Sequence, residues 1–164
     1  MDALVRPSCR RMFPADVLTD GRGVHPTSLF LSLAPTTTMP RFAILTHDHP
    51  SLHWDFLLEH SAACRTWRLL KSPDSLGEIP AEAIADHRLH YLDYEGPVSG
   101  NRGEVTQWDA GTFEWLSPTE PPASDVDHCE ARLTGQRFRG IARLCQRDEG
   151  RSVWTFVPNA LGDS

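Results

Sequence analysis

The sequence predicts a mainly β protein, a small closed β-barrel of about eight strands with little helix. Three observations predict it. Short stretches rich in β-branched and aromatic residues recur between residues 41 and 158, several with alternating polarity. Turns rich in Gly, Pro, Asp and Ser separate them. No internal repeat and no coiled-coil heptad competes with this pattern.

The elements follow in order. Residues 1–38 hold Pro7, Pro14, Pro26 and Pro35, three consecutive threonines and no clear periodicity, so they are expected to form a disordered tail that folding does not need. Met39 is an alternative start, and residues 39–160 are expected to be the folded domain. Residues 41–47 read as a strand. Residues 52–59 alternate, with Leu52, Trp54, Phe56 and Leu58 on one face and His53, Asp55, Leu57 and Glu59 on the other. A third strand is expected at 64–71, followed by a loop through Pro73, Gly77 and Pro80. Residues 81–87 suggest a short helical turn or an irregular connection. Residues 90–96 lead into a turn-rich loop that ends at Gly103. Residues 104–109 and 112–116 predict a hairpin about a tight Ala110–Gly111 turn. A loop at 117–127 and strands at 129–135, 137–147 and 152–158 complete the set.

Composition narrows the function. A chain of 164 residues is one domain on the usual size prior. No apolar run approaches the roughly 18 residues of a membrane span. A net charge of −6 argues against a general nucleic-acid coat, but not against an enzyme that grips one or two phosphates. Four cysteines at 9, 64, 129 and 145 show no C-x-x-C spacing, so reduced and mostly buried thiols in a cytoplasmic protein are expected.

The chemistry concentrates between His47 and Asp55. His53 and Asp55 leave the same face of a strand, and His47 lies six residues before His53, across a bend at Pro50. Two imidazoles and one carboxylate can hold a divalent metal and leave coordination positions for water and substrate. These ligand types do not choose among Mn, Fe, Co, Ni and Zn. His87 and Tyr91 form a second pair, able to donate to a phosphoryl oxygen.

LTHDHPSLHWDFLLE (45–59), TWRLLKSPD (66–74), DHRLHYLDYEGPVSG (86–100) and GEVTQWDAGTFEW (103–115) together resemble the 3′-phosphoesterase domain of bacterial DNA ligase D, as does LTGQRFRGIARL at 133–144. The resemblance covers about residues 40–157. It implies a closed barrel with its site in a surface groove. It implies a divalent metal, typically manganese, with zinc or cobalt as alternatives, on His47, His53 and Asp55. It further implies His87 and Tyr91 as the essential His and Tyr, and Lys71 as a phosphate contact. The implied reaction is removal of a 3′-terminal ribonucleotide and then a 3′-phosphate from nucleic-acid ends. The implied setting is a monomer working beside a separate ligase or polymerase.

The chain departs from the family where an Arg should follow the metal-binding Asp by two residues. Leu57 stands there. Ile79 and Ala85 stand near the places of a family Arg and Glu, and residues 1–38 offer no counterpart to its N-terminal contacts. Arg65, on the strand face of Trp67 and Lys71, is the expected substitute, with Arg68 on the opposite face the weaker one. Leu57→Arg is expected to raise activity unless Leu57 packs into an apolar wall. Two rivals remain at this point: a metal-binding module that binds nucleic-acid ends or a protein without turnover, and a non-haem iron oxygenase using His53, Asp55 and the distant His128.

Overall fold

The computed structural model describes residues 38–116, 128–147 and 151–159. The expected tail, except for Thr38, and the expected loop at 117–127 lie outside the described residues. The strands are β1 (Arg41–His47), β2 (His53–His60), β3 (Ala63–Leu69), β4 (Ile79–Arg88), β5 (Gly96–Pro97), β6 (Glu104–Trp115), β7 (His128–Gly135), β8 (Arg139–Gln146) and β9 (Ser152–Pro158), with a 3-10 turn at Leu89–Asp93. All pairings are antiparallel, in the order β1-β2-β3-β4-β9-β8-β7-β6, and β6 pairs back onto β1. Eight strands therefore close into a small barrel, and β5 hangs on the edge of β6. Closure removes most of the open strand edge that a flat sheet would expose. Among the described residues, no helix is long and apolar enough to cross a membrane.

Strand alternation sorts the side chains into two apolar groups. Phe42, Ile44, Phe56, Leu58, Trp67, Phe113, Leu133 and Trp154 fill the barrel. Their rings meet edge to face, with Phe56 and Trp154 centroids 5.0 Å apart and Trp67 and Trp154 5.3 Å apart. The other faces of β1, β2, β3 and β6 carry Ala43, Leu45, Leu57, Cys64 and Val105, which form a second buried cluster with Leu92 of the 3-10 turn. An ion pair between Arg41 and Asp93 at 3.0 Å, and a hydrogen bond from the Gln107 side-chain amide to the Leu92 carbonyl at 3.2 Å, hold that turn onto the barrel.

Two expectations are corrected. Residues 81–87 belong to a ten-residue strand, because β3 supplies a ladder partner that overrides the local helix preference of Ala and Glu. Residues 104–115 are one twelve-residue strand, with no turn at Ala110–Gly111. Trp108 is an extra residue opposite the Ile44–Leu45 step, and this bulge bends β6 so that one end pairs with β5 and the other with β7. Gly111 serves close approach, since a Cβ there would overlap the Thr134 carbonyl of β7.

Asp109 follows the bulge and is 3% exposed. Its carboxylate accepts four backbone N–H bonds, from Ala110, Gln136, Arg137 and Phe138, at 2.8–2.9 Å. It clamps the β7–β8 turn onto β6, while Arg137 stacks 4.4 Å over the Trp108 ring. Asp109→Asn replaces one acceptor oxygen with a donor that faces backbone N–H groups. It should cost about 2–3 kcal/mol, seen as a lower midpoint in urea unfolding. Cys64 and Cys129 are buried, and burial pushes their thiols up to about 11 and about 12. Among the described cysteines, iodoacetamide at pH 8 should therefore alkylate exposed Cys145 in the native protein and spare the other two. Peptide mapping after the reaction checks this.

Candidate metal centre

The β1–β2 register places His47 opposite His53, and Asp55 follows two residues along the same face. One ligand atom from each lies within 4.8 Å of those of the other two. Backbone carbonyls fix both imidazoles. A carbonyl only accepts, so His47 Nε2–H donates to the Arg102 carbonyl at 2.7 Å and His53 Nδ1–H donates to the Ser51 carbonyl at 2.7 Å. The lone pairs left over are His47 Nδ1, 3.5 Å from Asp55 Oδ2, and His53 Nε2, 3.6 Å from Asp55 Oδ1. His53 Nε2 and Asp55 Oδ1 are buried and have no hydrogen-bond partner. Orphaned acceptors are costly in a protein interior. Two imidazole nitrogens and a carboxylate, each imidazole oriented through its second nitrogen, fit one divalent cation.

The triad borders a cavity of about 190 Å³, whose lining also includes Arg68, Ile84, His87, Tyr91 and Arg102. A bulge in β4 brings His87 there. Ala85 and Asp86 together oppose the single Arg65, so Ile84 and His87 share a face although they are three positions apart. His87 Nδ1–H donates to the Ala85 carbonyl at 2.9 Å, which leaves Nε2 for the cavity's chemistry. Tyr91 enters from the 3-10 turn, with its ring centroid 5.4 Å from that of His87.

The loop after β5, expected as a plain turn, supports the centre. Val98 N–H donates to the Gly103 carbonyl at 2.8 Å, and Glu104 N–H donates to Asp48 Oδ1 at 2.8 Å. Gly103 has φ +76°, and a Cβ there would overlap the Asp48 carboxylate. That close approach lets the Arg102 carbonyl reach His47. Asp48 and Gly103 are thus positioning residues that motif reading missed, although a lone Gly between charged residues was the available signal.

The sequence-predicted residues divide accordingly. His47, Asp55, His87 and Tyr91 line one cavity, and His53, which does not line it, is grouped with His47 and Asp55. Lys71 is exposed beyond the end of β3 and does not line that cavity. Arg65 does not line it either; it sits opposite Leu58, on the barrel side of β3. Arg68, ranked below Arg65 from the sequence, pairs across from Asp55 and does line it. Leu57 is fully buried in the apolar cluster beside the centre. His128 begins β7 and is not part of the metal-ligand cluster. A larger cavity of about 580 Å³ beside the short β4–β9 pairing contains the Glu78–Arg147 ion pair and none of the candidate site residues.

Comparison with known proteins agrees with this geometry. Residues 45–146 match the model of the DNA ligase D 3′-phosphoesterase domain. Over 138 residues the chain is 30% identical to the multifunctional non-homologous end joining protein LigD of Pseudomonas aeruginosa, covering 79% of this chain and 16% of that protein. Over 78 residues it is 31% identical to the LigD proteins of Mycobacterium bovis and Mycobacterium tuberculosis, covering 44% of this chain and 10% of each. The chain spans only a small part of the length of these relatives. With the matched segment running from β1 through β8 and containing the whole triad, this chain belongs to the DNA ligase D 3′-phosphoesterase domain family.

Proposed function

We propose that the domain hydrolyses a phosphate ester at a nucleic-acid 3′ end, with one divalent ion on His47, His53 and Asp55. The observation that carries this reading is the convergence of unpartnered donor atoms, His53 Nε2 and Asp55 Oδ1, beside a cavity that also holds His87 and Tyr91. The relatives are named as end-joining proteins, which favours DNA ends as the substrate, with a 3′-phosphate or a 3′-ribonucleotide as the group removed. A ligase or polymerase that completes the repair is the partner this reading calls for. Manganese is the proposed ion, and the same donor set admits zinc or cobalt.

A bound divalent ion would act as a Lewis acid on a phosphoryl oxygen. The chain's own groups do the rest. His47 and His53 present fixed lone pairs because carbonyls hold their other nitrogens. In its imidazolium form, His87, anchored through Nδ1–H, gives its Nε2 proton to the 3′ oxygen as the ester P–O bond breaks and the oxygen of water bonds to phosphorus, and the proton that water gives up returns to Nε2. The Tyr91 hydroxyl donates to a non-bridging oxygen.

A non-catalytic end-binding module is the second reading, and buried Leu57 favours it. Phosphate release from a 3′-phosphorylated primer-template with Mn²⁺ separates the two. The wild type should release phosphate, and His87→Ala should lower the rate by roughly 10²–10⁴-fold. Calorimetry should show one Mn²⁺ site per chain, abolished by Asp55→Ala. Ion binding without any phosphate release would leave only the binding module. Leu57→Arg should not raise activity, contrary to the expectation from strand position alone. It places a cation among Ala43, Leu45 and Leu92, and should lower stability by on the order of 3 kcal/mol or more in urea unfolding.

A further inference from the structure

We infer that Arg68 is the ligand for the terminal phosphate in this cavity, an inference that rests on the phosphoesterase reading above. Three observations carry it. Arg68 lies directly opposite Asp55 on β2 and opposite Glu82 on β4, yet forms no ion pair or hydrogen bond among the described residues. Its Nε is buried without a partner. It lines the same cavity as His47, Asp55, His87 and Tyr91.

The other arginines show how unusual this is. Arg41, Arg132, Arg143 and Arg147 each engage a carboxylate. Arg102, the other cation at the cavity, spends its Nε and one terminal nitrogen on Ser99. Arg65 also has an unpartnered Nε, but it lies on the opposite side of β3 and does not line this cavity. A guanidinium with its donors unspent, held beside a metal-ligand cluster, matches a tetrahedral dianion that accepts two parallel N–H bonds. A phosphomonoester group is such an anion. The neutral apolar wall formed by Leu57 and its neighbours offers it no competing donor.

The test uses the full chain without added metal ion and a fluorescent oligonucleotide ending in either a 3′-phosphate or a 3′-hydroxyl. Anisotropy should show tighter binding of the phosphorylated strand by the wild type. Arg68→Ala should reduce that preference by about tenfold or more, the scale of a charge-assisted contact. Arg68→Lys should keep part of it, because it retains the charge and loses the fork. Arg132→Ala, which removes a surface ion pair far from the cavity lining, should behave as wild type. The melting midpoint of Arg68→Ala should stay level or rise, because the side chain has no partner to lose. Arg68→Ala retaining the wild-type preference, or the wild type showing none, overturns the inference. Phosphate release with Mn²⁺, followed in parallel, keeps the two proposals apart. Release by the wild type with Arg68→Ala unaffected in binding sinks only the role of Arg68. An Arg68-dependent preference without any release sinks only the hydrolytic reading.

Discussion

The antiparallel register between β1 and β2 is the constraint on which the rest depends. Phe42 pairs with Leu58 and Ile44 with Phe56, and both pairs turn into the barrel. The same ladder sets His47 against His53 and Leu45 against Asp55 on the other face. A slip of one residue would send the whole apolar set outward and carry the triad's carboxylate into the core. Burial of the aromatic interior therefore fixes the geometry of the triad through the ladder they share. The apolar core holds a polar cluster in place, because each strand has two faces and only one pairing buries the correct one.

Legibility followed the same division. β1, β2 and the three last strands were readable because their alternation or β-branched content is strong, and the triad was readable because His53 and Asp55 share strand parity. β4 was not, because Ala and Glu prefer helix when no partner strand is in view. The length of β6 was hidden by Gly111, which marks a close crossing instead of a turn. Arg68 lines the cavity and Arg65 does not, for a simpler reason. Trp67 marks the barrel face of β3, as Phe56 marks that of β2, so the site face had to be the one opposite Trp67. That signal lies in the parity of the neighbouring strand and not in β3 alone.

The bulges perform what regular alternation cannot. Regular pleating would separate Ile84 and His87 onto opposite faces, and the extra residue in β4 reunites them beside Asp55. The extra residue in β6 places Asp109 where it can reach the β7–β8 turn. Each irregularity re-aims one functional or structural side chain at the local expense of a ladder hydrogen bond. Neither can be located from one strand's sequence, because a bulge is a property of a pair.

Two buried carboxylates show how this fold separates stability from chemistry. Asp55 and Asp109 are 5% and 3% exposed, close to equal in burial. Asp109 is saturated by four backbone N–H groups. Asp55 has an oxygen with no hydrogen-bond partner, faces two imidazole lone pairs, and lies across from an arginine that does not pair with it. A chain selected only for folding would satisfy Asp55 as it satisfies Asp109, since each orphaned buried group costs on the order of 1–3 kcal/mol. Of the five buried side-chain atoms without a partner among the described residues, three belong to His53, Asp55 and Arg68, in the triad or lining its cavity, and the closed ring of strands supplies the stability that offsets their cost.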